Sequence, residues 1–189
     1  MILNTPAADA IIDEVRHWVD RAVIGLNLCP FAKAVQVKGQ IRYAVSDATD
    51  AEGVLPDLEA ELQRLADTAP EELDTTLLIL PEALHDFYDF NDFEELSERL
   101  LKQMNLVGEL QVATFHPLFQ FAGTEPEDIE NYTNRSPYPI LHLLREDSID
   151  RAVEAFPDAA EIYEKNIETL RELGHDGWQG LMKDGRGVS

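Results

Sequence analysis

The chain has 189 residues, 44% of them hydrophobic, with 37 acidic against 15 basic side chains and a formal net charge of −22 at pH 7. That length suits one domain with a substantial core, and the charge argues against nucleic acid and anionic membranes as partners. A single cysteine excludes an internal disulfide. No apolar run approaches the roughly 18 residues of a membrane span, and no basic-then-apolar leader is visible, so a reducing, cytoplasmic setting is expected.

Thr5-Pro6 is a helix-start signal, and Ile11, Ile12, Val15, Trp18, Val19, Ala22 and Val23 follow at helical spacing towards a stop at Gly25 to Asn27. Pro30 then biases Cys29 towards extended backbone, placing the cysteine at a helix-to-loop junction. Gln40 to Val45 reads as a strand, pairing with Val35 to Val37 through a Lys38-Gly39 turn. Thr49 and Glu52 have capping-box spacing before a Val54, Leu55, Leu58, Leu62, Leu65 stripe. Thr75 to Leu80 is a strand covered on both faces. Asn91 and Glu94 repeat the capping box before Phe93, Leu96, Leu100 and Met104, with Gly108 as the stop. Leu110 to Phe115 is a third strand and Ile140 to Leu144 a fourth. Helices over Ser148 to Phe156 and Asp158 to Leu173, separated by Pro157, complete the chain before a frayed tail at 183–189.

Two strand-helix-strand units in succession imply parallel strands, whereas the connection into the fourth strand is short enough to favour an antiparallel return. The expected fold is a single α/β domain, residues 1–182. It has a small four-stranded mixed sheet, mostly parallel with the last strand antiparallel, covered by helices and followed by a helical C-terminal extension. An antiparallel return places Asn134-Arg135-Ser136 beside His116, at the carboxyl end of the parallel strands where binding loops gather, whereas a parallel fourth strand would put Arg145 there instead.

Acidic residues are absent from 21–46, 110–124 and 131–145, although residues 43–134 carry 22 acids against three bases. The acid-free windows hold Cys29, His116, His142 and six of the 15 basic residues, which points to one surface that accepts an anion. Arg135, between Asn134 and Ser136 and ahead of Pro137-Tyr138-Pro139, has the planar donor geometry that carboxylate or phosphate requires. Its structural alternative is an ordinary ion pair. His116 ends a strand before a proline and suits proton transfer, metal ligation or anion binding, unless it bonds to a loop carbonyl. Cys29 could be a nucleophile, a ligand or a buried small apolar residue; its one neighbouring base is Lys33. His142, inside a strand, is either a satisfied core histidine or a binding group. A metal site of Cys29, His116 and His142 lacks any close ligand spacing, and no phosphate-loop, dinucleotide or serine-hydrolase fingerprint implies a cofactor or mechanism.

On Asn27-Leu28-Cys29-Pro30-Phe31-Ala32, on Thr114-Phe115-His116-Pro117, and on Asn134-Arg135-Ser136-Pro137-Tyr138-Pro139 with Leu141-His142-Leu143-Leu144-Arg145, the chain resembles a bacterial family of uncharacterised proteins, described as a domain of unknown function. The resemblance implies a shared fold and a shared site without a reaction. Three functions compete. In the first, a transferase or hydrolase acts on an anionic small molecule, with Asn134, Arg135 and Ser136 binding the anion, His116 moving a proton and Cys29 lining the pocket or attacking. The second is a non-catalytic metabolite-binding or regulatory module that uses the same pocket. The third is an acidic module docking a basic protein.

Overall fold

Thr5 and Pro6 open the first helix as their chemistry dictates: the Ala8 N–H donates to the Thr5 hydroxyl at 3.2 Å, and Pro6 occupies a position whose N–H would lack a partner. The computed structural model describes residues 1–155 and 161–183. Helix α1 (Pro6–Trp18) runs on into a π-helical turn, Val19–Ile24. That wider turn closes at Gly25, where a Cβ would stand 2.2 Å from the Arg21 carbonyl oxygen. Asn27, at φ 55°, then reverses the chain into the Leu28-Cys29-Pro30 segment.

The expected strand at Val35 to Val37 is instead part of helix α2 (Ala32–Val37), because Ala32, Lys33, Ala34 and Gln36 are good helix formers that outweigh two valines. Gly39, at φ 69°, turns the chain directly from α2 into β1 (Ile41–Val45). Helix α3 (Ala51–Asp67) is capped by Asp50 and not by Thr49, the Asp50 carboxylate accepting the Gly53 N–H at 2.8 Å. A carboxylate there also complements the helix dipole. The same competition moves the start of α4 (Phe87–Gln103) ahead of Asn91 to Asp86, which accepts from the Tyr88 and Asp89 N–H groups at 2.8 and 3.2 Å. Strands β2 (Thr75–Ile79), β3 (Leu110–Phe115) and β4 (Ile140–Arg145) fall where the aliphatic runs place them. Helices α5 (Glu146–Ala155) and α6 (Ile162–Lys183) follow, with a non-helical Gly174 interrupting α6. The Pro157 helix break and the tail beyond Lys183 lie outside the described residues.

The sheet order is β1-β2-β4-β3, with β1 parallel to β2 and β4 antiparallel to both its neighbours. Strands β1, β2 and β3 therefore share one direction, and β4 is inserted between β2 and β3 against it. This mixed α/β sheet agrees with the expectation, including the antiparallel return. Helices α3 and α4 cover one face through Leu58, Leu62, Leu65, Phe90 and Phe93, packed on Leu78, Leu141 and Leu143. Helices α1 and α6 cover the other through Val15, Trp18, Leu170 and Trp178, packed on Leu77, Ile79 and Ile140. Among the described residues no helix is long and apolar enough to cross a membrane.

Candidate functional site

Two of the three acid-free loops form one structure at the carboxyl end of β3. The His116 N–H donates to the Asn134 carbonyl at 3.1 Å, and the Asn134 amide donates back to Thr114 O at 3.1 Å. Fully buried Asn131 ties the two loops together: its Oδ1 accepts the Phe121 N–H at 3.0 Å and the Thr124 hydroxyl at 2.7 Å, while its Nδ2 donates to Glu125 O at 2.8 Å. On this frame Arg135 donates from Nε to Phe119 O at 3.3 Å and from Nη2 to Pro126 O, with its guanidinium 4.4 Å from the Tyr132 ring centroid. Its Nη1 has no hydrogen-bond partner among the described residues. Ser136 is buried and donates to its near neighbour Tyr138 O at 2.6 Å.

His116 is 0% exposed and both ring nitrogens are engaged. Nδ1 accepts the Leu118 N–H at 3.0 Å, which places the proton on Nε2, and Nε2 donates to Leu84 O at 3.0 Å. The ring packs against Phe87 and Phe90 of α4. Burial is the main cause that holds its pKa below the usual histidine value, so the neutral form is favoured. The expected neighbourhood with Asn134 is present, but through the backbone; the imidazole stands on the α3/α4 side of the sheet.

Cys29 lies on the opposite side, half-buried against the α1/α6 cluster, in a segment fastened to α6 by the Asn166 amide donating to Leu28 O at 2.9 Å. Burial pushes its thiol pKa up, against the lowering pull of the Phe31 and Ala32 N–H groups. The structure does not bring Cys29 and His116 together. His142 donates from Nε2 to Thr75 Oγ1 at 2.8 Å, and the Thr75 hydroxyl in turn donates to Leu143 O at 2.6 Å. Desolvation lowers the His142 pKa to about 4. Arg145 closes the loop after α3 by donating to the carbonyls of Leu65, Thr68 and Leu73. Among the described residues no three His, Cys, Asp or Glu side chains are placed to hold a metal ion.

What Arg135 and Ser136 do line is a cleft of about 880 Å³ at this end of the α1/α6 layer. One wall is a face of α1: Ala10, Asp13, Glu14, His17 and Trp18, at the three- and four-residue spacing that aligns side chains along a helix. The second wall is Tyr132 and residues 135–138, with Pro117 beside them. Trp178, Gln179, Met182 and Lys183 near the end of α6 make the third. The walls are cross-braced. Tyr138 donates its hydroxyl to Glu14 Oε2 at 2.9 Å, His17 donates to Leu181 O at 3.1 Å, and the Tyr132 ring meets Trp178 edge-on at 5.2 Å. Trp18 is 2% exposed and its indole N–H has no acceptor among the described residues, a burial that ordinarily costs about 1–3 kcal/mol. Sequence reasoning placed Arg135 and Ser136 correctly on a loop beside His116. It missed Glu14 and His17, for which the polar row on the solvent side of α1 was the available signal, and Trp178 of α6, for which no local pattern offered one.

A mixed-sheet α/β protein with an aromatic cleft carrying charges of both signs is the class that fold and site define. The chain belongs to the family DUF1415, described as a protein of unknown function, whose model matches residues 10–180. No curated protein and no solved structure matches it.

Proposed function

We propose that the chain is a cytoplasmic small-molecule-binding protein whose ligand sets an anionic group against Arg135 in the α1/α6 cleft. The observation that carries this reading is the mounting of Arg135. Two backbone carbonyls and the face of Tyr132 fix the guanidinium at the cleft wall, with Nη1 still available. Held in this way, the side chain has little rotamer freedom to lose when a ligand arrives. The cleft volume is that of a small-molecule site. A binding role is favoured over hydrolysis or group transfer because the imidazole of His116 is engaged at both nitrogens and the Cys29 thiol is held protonated.

The test is thermal stability against a panel of phosphate- and carboxylate-bearing metabolites. A ligand at a hundredfold excess over its Kd stabilises by about 2.7 kcal/mol, a rise of about 5–10 °C in Tm for a chain of this size. Arg135→Ala should abolish that rise. Ala10→Trp, which fills the opposite rim without touching Arg135, should do the same. Cys29→Ser should leave it intact. Undiminished stabilisation of Ala10→Trp would put the ligand elsewhere and end the proposal.

A further inference from the structure

The cleft walls do not carry the same sign of charge. On the α1 wall stand the exposed carboxylates of Asp13 and Glu14; on the loop wall stands Arg135, with Lys183 at the end of α6. Asp13 has only a long 3.9 Å contact with exposed Arg16, and Glu14 accepts a single neutral hydroxyl from Tyr138. Among the described residues, neither carboxylate is neutralised by a cation of the cleft. The cleft is also aromatic on every side: Trp18 stands on the α1 wall, Tyr132 and Tyr138 on the loop wall and Trp178 on the α6 wall.

A simple anion drawn to Arg135 would have to lie near two carboxylates in a protein of net charge −22, and a simple cation drawn to those carboxylates would meet the guanidinium. Like-charge juxtaposition is how a site rejects a ligand, and paired opposite charges are how it accepts one. We propose that the cleft selects zwitterions: a small molecule whose ammonium lies against Asp13 and Glu14, whose carboxylate or phosphate lies against Arg135, and whose apolar body lies against the aromatic rings of the walls. This inference rests on the cleft being the ligand site and adds the chemistry of the ligand.

Both tryptophans of the chain border the cleft, so intrinsic fluorescence reports on it directly. The probes are 4-(aminomethyl)benzoate and a homologous series of linear ω-amino carboxylates, each compared with its N-acetyl derivative, which is anionic only, and its methyl ester, which is cationic only. The intact zwitterions should change the fluorescence saturably. At least one should bind about tenfold more tightly than either of its singly charged derivatives. Glu14→Gln keeps an acceptor for Tyr138 and should weaken the zwitterion about fivefold to tenfold while leaving the N-acetyl compound unchanged or improved. An N-acetyl derivative that binds as tightly as its parent would overturn the zwitterion and leave the anion site standing. Saturable binding of none of the three classes would overturn both.

Discussion

Against one face of the sheet, helices α3 and α4 enclose Leu58, Leu62, Leu78 and Leu143 at zero exposure, and the polar groups they bury are matched. His116 engages both nitrogens, and Glu61 takes Arg42 in a two-point ion pair at 2.6 and 2.9 Å; the Thr76 hydroxyl is the exception. Against the other face, α1 and α6 part at the carboxyl end of β3, leaving a cleft in which, among the described residues, the exposed Asp13 and Glu14 carboxylates have no cation nearer than Arg16, 3.9 Å from Asp13. Polar groups closed in on all sides stabilise the fold, whereas polar groups left open beside a cleft are available to a ligand. By that distinction the most conspicuous histidine of the sequence belongs to the scaffold, whereas Arg135 of the proline-flanked turn lines the open cleft.

The largest effects should come from breaking the closed side. Phe93→Ala empties a site 1% exposed and should cost about 3–5 kcal/mol in urea unfolding. Met182→Ala on the half-open rim should cost less than about 2 kcal/mol, because its environment is already partly solvent. Equal losses would erase the contrast between the two layers. His116→Leu leaves Leu84 O and the Leu118 N–H without their partner and should cost about 2–4 kcal/mol. Ligand affinity in the cleft should not change, since the imidazole lies across the sheet from it. Loss of binding in a fully folded His116→Leu protein would return that histidine to the site.

How much of this was legible in the sequence differs between backbone and site. The β3 run from Leu110 to Phe115 was readable to the residue because apolar pattern and flanking turn residues agree, and the antiparallel β4 followed from its short connection. The insertion of β4 between β2 and β3 was not legible, since strand neighbours are chosen by tertiary packing. Helix caps slipped wherever two capping residues compete, as at Thr49 and Asp50. In the site, the proline-flanked turn exposed Arg135. The α1 and α6 walls meet across 164 positions, from His17 to Leu181, and no local pattern encodes such a meeting. The side taken by His116 was not legible either: alternation along a strand sends it opposite to Phe115, but that Phe115 packs on Trp18 of α1 is a tertiary contact.

Acid should discriminate the layers by a smaller amount. The folded His142 pKa of about 4 lies below the ordinary 6.5, so between those values the unfolded chain binds a proton that the folded chain does not. The neutral-histidine contribution is complete above pH 6.5 and is lost as pH falls towards 4, up to on the order of 3 kcal/mol. His142→Gln can still donate to Thr75 and does not titrate. Urea unfolding across this window should show a flatter pH dependence for the variant than for the parent. Parallel curves would show that the imidazole is not the group responsible.

The smallest expected effects test what positions the third wall. Gly174 has φ 65° and ψ 174°, a conformation essentially restricted to glycine, and the half-helix beyond it carries Trp178, Gln179, Met182 and Lys183 into the cleft. That half-helix is fastened by His17 donating to Leu181 O and by His175 donating to Glu127 O at 2.9 Å. A Cβ at Gly174 would meet nothing within 4 Å, so Gly174→Ala acts through backbone strain alone and should cost about 1–3 kcal/mol. Gly180 is helical, lies in the same half-helix and is equally uncrowded, so Gly180→Ala should stabilise by up to about 1 kcal/mol. The two alanines thus have opposite signs within one wall. If the reversal at Gly174 sets the position of that wall, Gly174→Ala alone should also shift the tryptophan emission and weaken cleft binding. A strained Gly174→Ala protein with unchanged emission and affinity would mean that the two histidine bonds hold the wall in place by themselves.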